Sequence, residues 1–309
     1  VAQVLRDIGM GDVFPGYEQR RKEAVGDVLQ DALLGLVSTP ASLIRYRGRK
    51  IQEGKALGKA IEPVKGTLRE LFGGTLALSR GIFGAGKAKR VIIGEKSPYM
   101  LNLYKQIKDR PEQVADLAEL YMRRLDSLPK DKAVRYAKEV MSKLKKGQLS
   151  EVEEAAADIF VGQRSMAYSP REIPAFLPST KYASPESVRA KIYATSELLQ
   201  KAKIKTDWAE VVRGARKGDV VLADPPYHGT RGYESTGKFQ TEPLSDALQR
   251  LSKRGVEGIV WTGEAGVKKF PWAEFKKVKP TEFAAGIGGK RLVDLLPVRT
   301  VKRKTWRPK

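Results

Sequence analysis

Asp224-Pro225-Pro226-Tyr227 follows directly on the apolar run Val220-Val221-Leu222-Ala223. The run is continuous and rich in branched residues rather than alternating, which predicts a parallel strand buried on both faces. Open α/β sheets bind their ligands at the carboxyl ends of such strands. Here the strand end carries a carboxylate at Asp224, a peptide carbonyl at Pro225 and an aromatic face at Tyr227. Two prolines remove two backbone donors, so acceptors dominate the local surface. Such a surface suits a planar group bearing an NH2: two acceptors take its two hydrogens while the ring lies against the tyrosine. Adenine is the leading candidate. The plainer reading is that Pro-Pro only ends a strand and Tyr227 packs on the core.

A second constellation lies upstream. Thr67-Leu68-Arg69-Glu70-Leu71-Phe72 reads as a strand, Gly73-Gly74-Thr75 as a turn, and Leu76-Ala77-Leu78 as the start of a helix. Strand, glycine turn and helix make a nucleotide-binding crossover, in which missing side chains admit a ligand to the backbone and the helix start offers unpaired N–H groups. A further strand, Arg90 to Glu95, ends on a carboxylate about twenty residues beyond the glycines, where an acidic residue can accept from two ribose hydroxyls. The alternative for Glu95 is a surface pair with Lys96 or Arg90.

Composition narrows the chemistry. The 309 residues are 41% hydrophobic, enough for a globular core. Lys and Arg number 58 against 36 Asp and Glu, a net charge of +22 that favours a polyanionic partner. Nucleic acid is preferred to membrane, since the basic residues are spread along the chain and no apolar run approaches the length of a spanning helix. Cysteine is absent, which excludes disulfides, zinc-thiolate and iron–sulfur centres, and a thiol nucleophile for methylating a cytosine ring carbon. His228 is the only histidine; it is assigned no catalytic role, and no metal site is expected. The first residues lack a signal-peptide pattern, so a cytoplasmic setting is expected. A start at Val1 rather than Met hints at processing or excision from a longer polypeptide.

The elements that must position these groups follow from periodicity. An amphipathic helix is expected from about Tyr17 to Val37, within an extension of residues 1–41 that packs on the main domain or on a neighbouring polypeptide. Arg45-Tyr46-Arg47-Gly48-Arg49-Lys50 is a basic turn leading into a helix. Residues 111 to about 147 are helical and strongly charged, and Ser150 with Glu153 makes a capping box for a helix to about Phe160. Gln163 to Tyr182 has no clear period and suits base-edge and phosphate contacts from loops, or an ordinary surface. Ser184 caps a helix to about Lys201. Ile204 to Trp208 reads as a short strand, Leu244 to Lys253 as a helix, Gly258 to Thr262 as a strand and Arg291 to Val298 as a last strand. Residues 299–309 form a basic tail fit for phosphates, or simply disordered.

Taken in order, these segments resemble the Dam-type (alpha-class) family of adenine-specific DNA methyltransferases. Tyr46-Arg47-Gly48-Arg49-Lys50 resembles its amino-terminal motif, which implies that Tyr46 and Lys50 flank the methionine end of S-adenosylmethionine. Glu70-Leu71-Phe72-Gly73-Gly74 resembles Glu-Pro-Phe-x-Gly. Glu95-Lys96-Ser97-Pro98 with Leu101-Asn102-Leu103-Tyr104 resembles Asp-Ile-Asn-Pro and the helix behind it. Asp207-Trp208 stands where the family has Asp-Phe, holding the cofactor's adenine, and DPPY completes the set. Leu71 departs from the usual Pro, Leu76 stands where many members have another Gly, Glu95 replaces Asp, and Ser97 replaces Asn.

The resemblance implies an α/β, Rossmann-like class I methyltransferase with a mostly parallel sheet. Residues 42–110 and 183–298 would form the catalytic domain and 111–182 a helical target-recognition insertion. It implies S-adenosylmethionine as cofactor, double-stranded DNA as partner, and a bacterial or phage-infected cell. The catalytic residues would be Asp224, Pro225, Pro226 and Tyr227; Phe72, Gly73, Gly74 and Glu95 would join Tyr46, Lys50, Asp207 and Trp208 around the cofactor. Adenine would be flipped from the duplex and methylated directly at its amine. Two other readings stay open: a methyltransferase-like module that binds nucleic acid or a partner chain without turnover, and a methyltransferase acting on RNA or a cytosine amine.

Overall fold

The structure is a computed structural model. It describes residues 43–44, 50–164, 183–227, 239–279 and 282–287. The expected helix over Tyr17–Val37, the segment 165–182, the strand over Arg291–Val298 and the basic tail lie outside the described residues, as do Tyr46 and His228. The chain divides into two compact units, described separately.

The first unit is built on the sheet. In chain order it carries α1 (Ile51–Ala60), β1 (Leu68–Glu70), the end of α2 (Ala77–Gly84) and β2 (Val91–Gly94). It then carries the end of β3 (Ala202–Lys205), α8 (Trp208–Val212), β4 (Val220–Ala223), α9 (Thr241–Lys253), β5 (Glu257–Thr262), α10 (Glu264–Val267), β6 (Lys276–Lys279) and β7 (Glu282–Ile287). The seven strands run β3-β2-β1-β4-β5-β7-β6. β1 pairs in parallel with β2 and β4, β4 in parallel with β5, and β7 is antiparallel to both β5 and β6. This is the strand order of a Rossmann-like methyltransferase sheet. All four residues of β4 are buried, as its unbroken branched run requires.

Two devices fix the sheet unit. Arg69, in β1, donates through Nε to Asp219 Oδ2 (2.8 Å) and through its terminal nitrogens to the carbonyls of Val211 (2.6 Å) and Gly214 (3.3 Å). Asp219 also accepts from Thr67 N (2.8 Å) and Arg216 N (3.2 Å). Both charged side chains are buried, and their bonds tie β1, the start of β4 and the end of α8 together. The second device is close packing of α1 on α2. A Cβ on Gly58 would overlap the Gly81 carbonyl, and one on Gly81 would overlap the backbone of Gly54. Only glycine lets the two helix backbones approach so closely.

The second unit is helical: α3 (Pro98–Asp109), α4 (Pro111–Ser127), α5 (Lys130–Lys145), α6 (Glu151–Arg164) and α7 (Pro185–Lys201). α4 and α3 each pack on both α6 and α7, and α5 packs on α6 and α4. Arg189 of α7, only 5% exposed, binds Asp116 (2.7 Å) and Glu119 (2.6 Å) of α4. Burial pulls its pKa down, but the two carboxylates more than offset this and hold it above the ordinary arginine range. Ser184 accepts from Ser187 N as the cap of α7. Ser150 N donates to Glu153, half of the expected capping box, while Ser150 Oγ donates to the same carboxylate.

Two local expectations are corrected and one is refined. The charged stretch from Pro111 is helical as expected, in two helices parted at Pro129, which lacks the N–H a continuous helix would need. α6 runs on to Arg164, so Gln163 and Arg164 are buried helical residues rather than loop. The strand expected over Ile204–Trp208 ends at Lys205, since Asp207 turns its carboxylate onto Ala209 N (3.1 Å) and starts α8.

Candidate active site

The glycine turn and the loop after β2 form one hydrogen-bonded structure. Leu76 N bonds Gly73 O at 2.7 Å, closing the turn, and Gly74 has φ +48°. Leu76 has φ +56°, the single non-glycine residue at positive φ among the described residues, and is 1% exposed. The left-handed conformation natural to glycine is therefore kept by a leucine. This costs roughly 1–2 kcal/mol of backbone energy, against roughly 1.5–3 kcal/mol for burying its side chain.

Glu95, the residue after β2, accepts Gly74 N–H through Oε2 (2.9 Å) and Ser97 N–H through Oε1 (2.8 Å). Tyr104, buried on α3, donates its hydroxyl to Gly74 O at 2.6 Å. Desolvation raises the Glu95 pKa above its ordinary 4.5, although the N–H groups of Ser97, Gly74 and Lys96 and the Tyr104 hydroxyl all pull it down. The carboxylate is thus seated among backbone N–H groups and a hydroxyl that favour its charged form. The hydroxyl of Ser97, which caps α3 without bonding the helix, is buried with no partner among the described residues. A Cβ on Gly74 would meet nothing within 4 Å among the described residues. Acceptors, an unspent hydroxyl and an open glycine backbone fit a polyhydroxylated nucleoside. Tyr104 belongs to a resembling motif but is not among the expected site residues.

Phe72 is half-buried and meets Phe239 edge-on, with ring centroids 5.4 Å apart at 87°. Trp208 is half-buried beside the same apolar cluster, and Asp207 is exposed at the start of α8. Lys50 is 4% exposed. Sequence reasoning misses Phe239, which sits alone just before α9 with no periodic partner.

At the end of β4, Pro225 is buried while Asp224, Pro226 and Tyr227 are half-buried. The Tyr227 hydroxyl donates to Asp224 Oδ1 at 3.2 Å. Gly263 follows β5, the strand paired with β4, and its φ of −79° is open to any residue. Its lack of a side chain is instead explained by Tyr227: a Cβ there would stand 3.3 Å from Tyr227 Cδ2 and 3.4 Å from Tyr227 Cβ. Gly263 is thus the floor beneath the Tyr227 ring. No turn signal or φ constraint marks it in the sequence.

No group of three or more metal-binding side chains occurs among the described residues, and no described helix is long and apolar enough to cross a membrane. The family model described as D12 class N6 adenine-specific DNA methyltransferase matches residues 46–265. The type II methyltransferase M1.LlaDCHI of Lactococcus lactis subsp. cremoris is 28% identical over 186 residues, which cover 54% of this chain and 63% of that protein. The match thus spans less than two thirds of the relative's length.

Proposed function

The chain belongs to the D12 class of N6 adenine-specific DNA methyltransferases, and on that premise we propose that it methylates the exocyclic amine of a flipped-out adenine in double-stranded DNA. The observation that carries the reading is the acceptor pair at the end of β4, Asp224 beside Pro225, with Tyr227 bonded to Asp224 and seated on Gly263.

S-adenosylmethionine supplies an electrophilic methyl group. Asp224 and the Pro225 carbonyl accept the two amine hydrogens, which draws the nitrogen lone pair out of conjugation with the purine ring and directs it outward. The Asp224 carboxylate also stabilises the positive charge that grows on nitrogen as it is alkylated, and takes up the proton that nitrogen then sheds. Tyr227 offers its ring to the everted base, and Pro226 keeps the motif stiff. Glu95 accepts ribose hydroxyls while Gly73, Gly74 and Phe72 line the nucleoside. Asp207 and Trp208 hold its adenine, and Tyr46 and Lys50 its methionine end. Alignment of nucleophile and donor supplies much of the rate.

The domain plan follows: 42–110 with 183–298 for catalysis, 111–182 for target recognition, 1–41 for association with a larger polypeptide or complex, in the cytoplasm of a bacterial or phage-infected cell. The turn conformation kept at Leu76 argues against a module that has lost cofactor binding. Labelled methyl transfer to duplex DNA, followed by digestion and identification of the product base, tests the reading; N6-methyladenine is the expected product. Label in RNA or in a cytosine amine, or cofactor binding without transfer, would replace it with one of the two rival readings.

A further inference from the structure

Charge in the helical unit is sorted by element. α4 carries Glu112, Asp116, Glu119 and Asp126 against Arg123 and Arg124, and α6 carries four acidic residues against Arg164. α5, packed on both, has the opposite sign: Lys130, Lys132, Arg135, Lys138, Lys143 and Lys145 against Asp131 and Glu139. The cations of α4 and α6, and Arg189 of α7, are engaged. Arg123 binds Glu119 and Glu186, Arg164 binds Asp126, Arg189 binds Asp116 and Glu119, and Arg124 lies 4.9 Å from the centre of the Tyr136 ring. Of the α5 cations only Lys143 has an ion-pair partner among the described residues, Glu139 at 2.9 Å.

The buried face of α5 is Ala133, Ala137, Val140, Met141 and Leu144, and all six of its cations are exposed, as is Lys146 beyond its end. Lys132, Arg135 and Lys138 repeat every three residues along that exposed face. Like charges at such spacing repel by a few tenths of a kcal/mol per pair. A polyanion laid along the helix turns this repulsion into attraction. Sixteen residues span roughly 24 Å, long enough to follow several consecutive phosphates of one strand.

We infer that the exposed face of α5 is a backbone-docking surface for duplex DNA, resting on the proposed DNA substrate. Lysine and arginine contacts to phosphate set affinity and register but read no bases. The surface therefore holds the duplex in place, and reading of the target bases falls to other residues of the 111–182 segment. The alternative occupant is an acidic protein.

The test is the salt dependence of DNA binding by the full chain. In the triple variant Lys132→Gln, Arg135→Gln, Lys138→Gln, the slope of log affinity against log salt should fall by about 2 to 3, at roughly 0.9 for each phosphate no longer neutralised. The ratio of target to non-target affinity, and S-adenosylmethionine affinity, should stay unchanged. The distal pair Lys145→Gln, Lys146→Gln should lower the slope by a smaller step, which guards against a folding artefact in the triple variant. Wild-type binding with an unaltered slope in both variants would overturn the inference and favour the protein partner. A wild-type chain with no salt-dependent DNA binding would overturn the substrate reading as well.

Discussion

Two carboxylates follow two parallel strands of one sheet, and they are held by different means. Glu95, after β2, accepts backbone N–H groups of Gly74, Ser97 and Lys96 as well as the Tyr104 hydroxyl, so its position follows mainly the path of the main chain. Asp224, after β4, receives the hydroxyl of Tyr227, a side chain that the proposed reaction also needs as a stacking surface. The contrast teaches a division of labour. On the proposed reading, the carboxylate that meets the cofactor is seated mainly by main chain, whereas the one that meets the target base shares a hydrogen bond with the side chain that stacks on it.

Removing the second carboxylate should have the largest effect. Asp224→Ala is expected to lower transfer by roughly 10³-fold or more, the scale for losing a group that stabilises developing charge. Calorimetric affinity for S-adenosylmethionine should stay within about twofold. Loss of both together would erase the distinction between the two strand ends.

Glu95→Ala should act on the other side of the comparison, weakening S-adenosylmethionine by roughly 100-fold, the worth of one to two hydrogen bonds to a charged group. Cofactor affinity should also fall as pH drops through the raised pKa of Glu95, because protonation removes acceptor capacity. The sign for stability is opposite. A carboxyl whose folded pKa lies above its ordinary 4.5 stabilises the apo fold fully below that value and loses the contribution as pH rises through the folded pKa. Thermal melts of Glu95→Gln against wild type across mildly acid pH check this; a parallel pair of curves would assign the pH dependence elsewhere.

Gly263→Ala should be milder, lowering transfer about tenfold by shifting the Tyr227 ring a few tenths of an ångström, with the cofactor constant unmoved. In a Tyr227→Ala background the same substitution should cost nothing further, since the clash has been removed. A full penalty in both backgrounds would mean that Gly263 serves the fold rather than the tyrosine.

The smallest effect concerns the turn. Leu76→Gly should destabilise no more than Leu76→Ala although it removes more side chain, because glycine relieves about 1–2 kcal/mol of left-handed strain. Denaturant midpoints measure it; a glycine variant worse by about 1 kcal/mol would contradict the strain argument.

Much of this is legible in the chain. β4 and β2 stand out because runs of branched residues have few alternatives to a buried strand, and DPPY, the glycine turn and Glu95 are local signals at strand ends. The β6–β7 hairpin escapes such reading. β6 is an edge strand of Lys276, Lys277, Val278 and Lys279, and lysines that guard an edge from further pairing also hide it from a hydrophobic pattern. The Arg69–Asp219 tie joins residues 150 apart and leaves no local trace. Asp207 is visible in the sequence, but its use as a helix cap competes with a strand that ends only two residues earlier, at Lys205. Gly263 and Phe239 acquire meaning only from partners brought near by the fold.

The glycine contact between α1 and α2 has a mechanical corollary. Where main chain abuts main chain, no rotamer can yield, so the pair behaves as one stiff beam, and any loosening must part the helices along their whole seam. Amide exchange should report this as synchronous opening of both segments, and a library of substitutions should find Gly58 and Gly81 the least forgiving positions on the two helices.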